Sequence, residues 1–222
     1  MAITFQEIKD NRDISVYIQK ADEAMRAIGY TEHSFPHVNK TAQGAAAILS
    51  ALSYPERMVE LSRIAGYMHD IGNVVNRHGH AHSGGVMAFE ILSRMGMDAE
   101  EVATITSAIG NHDEATGAPI NAVAAALILA DKSDVRRSRV RERDVENVSG
   151  DIHDRVNYAV VESAVDLDAA GMTVTLRLHI DTTYSAVMDY FEIFLTRMLL
   201  CRRAAEFLEL RFKLEINGVE LL

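Results

Sequence analysis

The sequence has few of the residues that stabilise small secreted proteins and none of the long apolar runs that span membranes. Its 222 residues include one Cys, no Trp and 3 Pro. A single Cys excludes an internal disulfide and a thiolate zinc cage, and it is typical of the reducing cytoplasm, where we expect this protein. The longest apolar run, 122–130, is far shorter than the roughly 20 residues of a spanning helix. The amino terminus also lacks the pattern of a signal peptide, so we expect no membrane association.

Positive charge is also in deficit. The chain carries 22 Lys and Arg against 32 Asp and Glu, which gives a net charge of −10. This balance excludes nonspecific nucleic-acid binding by the whole surface, although it leaves a local basic patch open. Hydrophobic residues make up 48% of the chain and charged residues 24%, as is typical of a globular protein with a full core. We therefore expect no nucleic-acid partner.

Up to about residue 143 the apolar residues recur with helical spacing. An apolar stripe from Ile14 to Ile28 predicts a first helix, which Gly29 closes. Pro55 suits the first position of a third helix. The same periodicity predicts the remaining helices over about 36–52, 55–72, 81–95, 98–110 and 119–134. Residues 1–150 are therefore expected to form a mainly α domain.

Beyond residue 150 the period of the pattern shifts to two. Apolar and polar residues alternate over 172–181 and 210–217, which predicts two amphipathic strands. A further strand over 158–167, a helix over 184–208 and a terminal hairpin at Asn217-Gly218 complete a β-β-α-β unit, one helix on a small antiparallel sheet. About 70 residues are marginal for independent stability. We therefore expect residues 151–222 to dock on the helical part or on a second copy of the chain in a homodimer.

The histidines concentrate in the helical part. Seven of the nine lie in the first 112 residues, and several continue an apolar stripe that points inward. One inward histidine alone is more often a hydrogen-bonded core residue, but a set that includes the adjacent pair His69-Asp70 favours a metal site. Imidazole and carboxylate ligands without thiolates favour Fe, Mn, Mg, Zn or Ni. The inward polar residues at helical spacing are His37, His69, His80, His112 and Asp131.

Five motifs in a fixed order carry these residues: His37, Met68-His69-Asp70-Ile71-Gly72, His80 with Gly84, Asn111-His112-Asp113 and Ala130-Asp131-Lys132. Together, over residues from about 30 to 135, they resemble the HD superfamily of metal-dependent phosphohydrolases. The resemblance implies an all-α fold and the hydrolysis of a phosphomonoester or phosphodiester, often in a nucleotide. It implies that His37, His69, Asp70 and Asp131 bind a first metal ion. In binuclear members Asp70 also bridges to a second ion, held here by His80 and His112.

The expected chemistry follows from the metal. A bound ion lowers the pKa of its water and places positive charge beside the phosphoryl oxygens. Asp70 can hold the metal and accept a proton from the nucleophilic water, and Lys132 can neutralise the phosphate, so we expect both to act in catalysis. Asn73 occupies the position after Gly72 where family members often carry a lysine. The further candidates for phosphate binding are Lys40, Asn73, Arg136 and Arg137.

Three assignments stay open at this stage. His82 competes with His80 as a ligand, and His80 is preferred because Gly84 one turn later allows close approach. His112 is followed by Asp113, where many binuclear members have a second histidine, so the site holds one ion or two. The basic segment 136–143 is either a substrate clamp or a solvated helix end paired with Glu142, Asp144 and Glu146.

The leading interpretation is a metal-dependent phosphohydrolase that acts on a small phosphorylated, nucleotide-like substrate, with metal-bound water as the nucleophile. An HD-fold di-iron oxygenase uses a similar set of ligands, and a non-catalytic HD signalling module keeps the same fold. The complete ligand set argues against the module, because a module without activity does not need it. Metal content and oxygen uptake separate the first two.

Overall fold

The amino-terminal part of the computed structural model is a bundle of helices, as the sequence predicts. The structure describes residues 2–141 and 151–221. Two short 3-10 helices, Ile71–Val74 and Arg137–Arg139, accompany the α-helices. The α-helices of this part are α1 Phe5–Asp10, α2 Arg12–Ala27, α3 Phe35–Ala51, α4 Glu56–Met68, α5 His80–Arg94, α6 Ala99–Gly110 and α7 Ala122–Lys132.

Local capping residues fix where these helices begin and end. The side chain of Asn121 accepts a hydrogen bond from the backbone NH of Ala124 and so starts α7, three residues later than the predicted position at Pro119. Pro55 lies at the N-cap of α4 and not at its first helical position. Gly29 has a φ of +82°, the left-handed conformation that ends a helix, as predicted for α2.

The carboxy-terminal part contains the predicted helix and strands with one unpredicted helix before them. Its elements are α8 Ile152–Ala159, β1 Val160–Asp168, β2 Thr173–Ile180, α9 Val187–Phe207, β3 Arg211–Ile216 and β4 Val219–Glu220. Asp151 caps α8, so the strand predicted from residue 158 starts only at Val160. The fold class is confirmed, mainly α with a small C-terminal sheet.

The prediction of a wholly antiparallel sheet is wrong. The strand order is β1-β2-β3-β4, and β2 pairs with β3 in parallel, with Thr173 opposite Arg211. The cause is α9, which crosses over the sheet and returns the chain to the end of the sheet at which β2 began, so that β3 runs in the same direction as β2. The other pairs are antiparallel, and β3 turns into β4 at the predicted Asn217-Gly218 hairpin.

Helix α7 lies at the centre of the molecule. All its residues from Ala122 to Lys132 are buried, and it packs against α3, α4, α6 and α9. One continuous apolar core joins the helical part to the sheet, so the carboxy-terminal unit docks on the helical part, one of the two arrangements expected. The predicted boundary near residue 150 lies outside the described residues and stays a prediction.

Close backbone contact at Gly72 positions the residues that follow the pair His69-Asp70. A Cβ at Gly72 would overlap the carbonyl oxygen of His80 and the backbone nitrogen of Gly84. Only glycine lets this turn touch the start of α5, and the contact brings His80 next to Asp70. Among the described residues, no helix has the length and apolar character needed to cross a membrane.

Candidate metal centre

The six predicted metal ligands come together in the interior from the ends of five segments. His37 lies in the first turn of α3, His80 begins α5, and Asp131 is in the last turn of α7. The pair His69-Asp70 directly follows α4, and His112 follows α6. All six are at most 9% exposed: His37, His69, Asp70, His80, His112 and Asp131.

Each of the four histidines is oriented by an oxygen at its outer ring nitrogen. When Nδ1 donates a hydrogen to that oxygen, the lone pair of Nε2 points into the cluster, which is the orientation of metal-binding histidines. The Nδ1 contacts are 2.8 Å from His37 to Asp134 Oδ2, 2.8 Å from His69 to the Gly66 carbonyl, 3.1 Å from His80 to the Arg77 carbonyl and 2.6 Å from His112 to the Ile109 carbonyl.

The carboxylate of Asp70 divides the cluster into two halves. Its Oδ2 lies 3.5 Å from His37 Nε2 and 3.3 Å from His69 Nε2. Its Oδ1 lies 3.5 Å from His80 Nε2 and 3.9 Å from His112 Nε2. Asp131 belongs to the first half, because its Oδ1 is 3.4 Å from His37 Nε2 and 3.6 Å from His69 Nε2.

The donor atoms fit a metal ion. The Nε2 of His69 is buried and has no hydrogen-bond partner, although native proteins rarely leave such an atom unsatisfied. The Nε2 atoms of His80 and His112 are 3.1 Å apart, and with both Nδ1 atoms donating, two lone pairs face each other. A bound cation would accept the lone pair of His69 Nε2 and those of the two facing Nε2 atoms. Overlapping groups with the spacing of metal ligands are His37, His69 and Asp70; His69, His112 and Asp131; and Asp70, His80 and His112.

The electrostatics of the cluster also favour a cation. Burial alone would lower the pKa of His69, but the neighbouring carboxylates Asp70 and Asp131 overcome it and raise that pKa to about 10. Burial would raise the pKa of Asp70, yet the neighbouring imidazoles of His69 and His37 hold that pKa well below its ordinary value. Burial would likewise raise the pKa of Asp131, but the charges of Lys132 and His69 hold it well below its ordinary value. Both carboxylates are therefore ionised at neutral pH, and they draw positive charge to the position that His69 Nε2 faces.

Asp134 orients the first ligand, a role that the sequence did not reveal. Its carboxylate accepts the Nδ1 hydrogen of His37 and lies 2.8 Å from Lys40 Nζ and 2.9 Å from Arg136 Nε. The guanidinium of the buried Arg139 donates to the Asp134 carbonyl. Asp134 lies three residues after Asp131, about one helical turn, and this spacing was the signal in the sequence that could have placed Asp134 near the ligands.

Four of the expected phosphate-binding residues do not line the pocket of the metal centre. Lys40 and Arg136 both pair with the carboxylate of Asp134. Arg137 donates to the carbonyl of Tyr158 and stacks on its ring. Asn73 donates to Asp70 Oδ1 at 2.9 Å and so orients the ligand. These contacts favour structural roles for Lys40, Asn73, Arg136 and Arg137.

The basic segment does not continue as a helix within the described residues. It forms the 3-10 turn Arg137–Arg139, and Arg141 pairs with Asp22. The acidic residues considered as its partners, Glu142, Asp144 and Glu146, lie outside the described residues.

The cluster opens into a pocket of about 380 Å³. Both parts of the chain build it, since Asn157 of α8 and Phe194 and Arg197 of α9 line it with the ligands. The buried Lys132 also lines it, with Nζ 2.7 Å from Glu114 Oε2 and 2.9 Å from Asp131 Oδ2.

Sequence reasoning missed several residues of the pocket, and four of them contact the candidate ligands or their partners. Glu114 accepts a hydrogen bond from Arg197 as well as pairing with Lys132. His33 is buried with its ring 5.6 Å from that of His37, and Arg77 contacts His80. His33, Arg77 and Glu114 lie between helices and show no periodicity, while Arg197 comes from a distant segment of the chain.

His80 and His82 differ sharply in their surroundings. His80 is buried in the cluster, whereas His82 is exposed on the outer side of α5. We expect His80→Ala to lower the metal content of the protein, because it removes one of the three donors on its side of Asp70. The matched control His82→Ala should keep the full metal content. Elemental analysis after dialysis against Mn²⁺ measures both, with circular dichroism to check folding, and equal metal content in the two variants would contradict the assignment.

Comparison with known families agrees with the geometry. Residues 34–136 match the model of the HD domain, and this range includes all six candidate ligands. No curated protein and no solved structure matches the chain. HD domains are mostly metal-dependent phosphohydrolases, and the match ends before the C-terminal sheet. This chain is thus an HD-domain protein, with its HD domain at residues 34–136.

Proposed function

We propose that the protein is a metal-dependent phosphohydrolase that cleaves a phosphomonoester or phosphodiester bond in a small, nucleotide-like substrate. The observation that carries the proposal is the buried Asp70 carboxylate, which lies between two groups of imidazole nitrogens at the floor of an open pocket. A pocket of about 380 Å³ accommodates a mononucleotide-sized ligand.

The two sides of Asp70 provide two places for a divalent cation. His37, His69, Asp70 and Asp131 would hold the first, and Asp70, His80 and His112 would hold a second. Bound there, Fe, Mn, Mg, Ni or Zn lowers the pKa of a coordinated water and stabilises negative charge on the phosphoryl oxygens. Asp70 would contribute to both positions, and its carboxylate would accept the proton of the attacking water.

Lys132 orients Asp131 and faces the substrate. An ammonium group has three N–H donors, and two of them are directed to Asp131 and Glu114. The third can meet a phosphate oxygen in the pocket that Lys132 lines. Glu114 is held in turn by Arg197, so the C-terminal unit supports this side of the site.

A di-iron oxygenase is the second candidate, since the same histidines and bridging carboxylate suit two iron ions. Oxygen uptake by the iron-loaded protein, without hydrolysis of any phosphate ester, would favour it. The non-catalytic module is disfavoured by the complete donor set and by the pocket above it.

The protein, stripped of metal and reloaded with Mn²⁺ or Ni²⁺, should hydrolyse at least one member of a panel of nucleotides, sugar phosphates and aryl mono- and diesters, with release of phosphate from a monoester or of the alcohol from a diester. Asp70→Ala should lower kcat at least about a hundredfold, because it removes a proton acceptor together with a metal ligand. His82→Ala is the control and should retain full activity.

The absence of hydrolysis of every monoester and diester with Mn²⁺, Ni²⁺, Mg²⁺, Zn²⁺ or Fe²⁺ would contradict the proposal. Unchanged activity in Asp70→Ala would contradict the assignment of the site.

A further inference from the structure

We propose that Arg77 binds the phosphate group of the substrate at the mouth of the metal centre, an inference that rests on the proposed function. Arg77 lines the same pocket as the ligands and is only partly exposed. Its Nη1 lies 3.3 Å from His80 Nε2 and 3.4 Å from Asn73 Oδ1. The guanidinium rests over the ring of Tyr30, 5.4 Å from its centroid, so it is held beside the ligands and not in solvent.

Arg77 differs from the other cations of the pocket in its lack of a carboxylate partner among the described residues. Its hydrogen bonds there use Nη1, while Nε and Nη2 have no partner in residues 2–141 and 151–221. The other cations of the pocket have carboxylate partners: Lys132 pairs with Glu114 and Asp131, Arg197 with Glu114, and Arg139 with Asp134.

A bound anion would accept hydrogen bonds from Nε and Nη2 of Arg77, which have no partner among the described residues. A partly buried guanidinium without a counter-ion retains free donors in a planar fork, and that fork matches two oxygens of a phosphate. The phosphate would lie beside His80, on the half of the cluster that faces Arg77. Arg77 is four residues after Asn73 and was not among the cations expected from the sequence.

The test measures binding of inorganic phosphate to the Mn²⁺-loaded protein by calorimetry. Arg77→Gln should weaken phosphate binding at least about tenfold, the scale of a charged hydrogen bond lost, without loss of manganese. Arg77→Lys should bind phosphate with an affinity between those of the wild type and Arg77→Gln, because lysine keeps the charge and lacks the planar pair of N–H donors. Arg94→Gln, on the exposed side of α5, is the control and should bind as the wild type does.

The outcomes separate this inference from the proposed function. Arg77-dependent phosphate binding without hydrolysis of any ester supports Arg77 and refutes the phosphohydrolase. Ester hydrolysis with an unchanged KM in Arg77→Gln refutes the phosphate-binding role of Arg77 and leaves the proposed function standing. Equal phosphate affinity in wild type and variant, or no phosphate binding by the wild type, overturns the inference. If Arg77→Gln does not fold, an unchanged affinity in Arg77→Lys overturns it.

A second observation concerns the outer face of α9, and the geometry points to a second copy of this chain as its partner. Positions 188, 192, 195, 199, 202 and 206 alternate four and three residues apart, the spacing of a helix–helix seam. Met188, Leu195 and Leu199 on this seam are 74%, 51% and 40% exposed. An apolar groove of about 240 Å³ runs beside Leu195 and Leu199.

The charges on this seam are complementary when two copies of α9 pair in antiparallel orientation. In an antiparallel pair of α9 helices with its two-fold axis near position 197, Glu192 lies opposite Arg202 of the second copy and Leu195 lies opposite Leu199. Glu192 is exposed, and the Arg202 side chain is 52% exposed with only a loose contact of 3.9 Å to Glu206. One surface that matches itself is what a two-fold homodimer requires.

A charge swap tests this interface by sedimentation equilibrium of the full chain. The wild type should be a dimer, and Glu192→Arg or Arg202→Glu alone should weaken it at least about tenfold, because like charges then meet. The double variant Glu192→Arg with Arg202→Glu should recover dimerisation. Glu90→Arg on α5 makes the same charge change elsewhere and should have no effect. A monomeric wild type, which would leave the groove to a different partner, or a double variant that does not recover, overturns the proposal.

Discussion

The burial of one carboxylate among four imidazoles is the constraint on which this structure depends. Asp70 lies in the interior within 3.9 Å of the Nε2 atoms of His37, His69, His80 and His112. Such a set of buried polar atoms is costly unless each is satisfied, and hydrogen bonds within the protein leave the Nε2 of His69 unpaired. Cations beside Asp70 would satisfy the set. The buried groups can therefore hold a metal, and a bound metal would stabilise them.

The rest of the molecule holds these ligands in place. Carbonyl and carboxylate oxygens fix the outer nitrogen of each ring, so that the inner nitrogens converge. The close contact of Gly72 with the start of α5 sets the position of His80. From the C-terminal unit, Arg197 holds Glu114, which holds Lys132 against Asp131. Helices α8 and α9 thus line the pocket, and α9 also carries the candidate surface for dimerisation.

The sequence predicted the helices and a set of candidate ligands that lie together in the structure, because burial and helical spacing both leave a periodic pattern. It did not predict Arg77 as a candidate for phosphate binding. Lys40 and Arg136 are near the candidate ligands in sequence, yet both pair with Asp134, and a carboxylate's choice of partner is a three-dimensional property. Arg77 precedes α5 in a loop without periodicity. Alternation likewise predicted β2 and β3 but not their parallel pairing, since the direction depends on the path of α9.

Anomalous diffraction from crystals of the manganese-loaded protein tests the central role of Asp70 most directly. The predicted result is two manganese peaks, one on each side of the Asp70 carboxylate, the first bound also by His37, His69 and Asp131 and the second by His80 and His112. A single ion would contradict the bridging role of Asp70. The absence of any peak within coordination distance of Asp70 would contradict the account of the site as a whole.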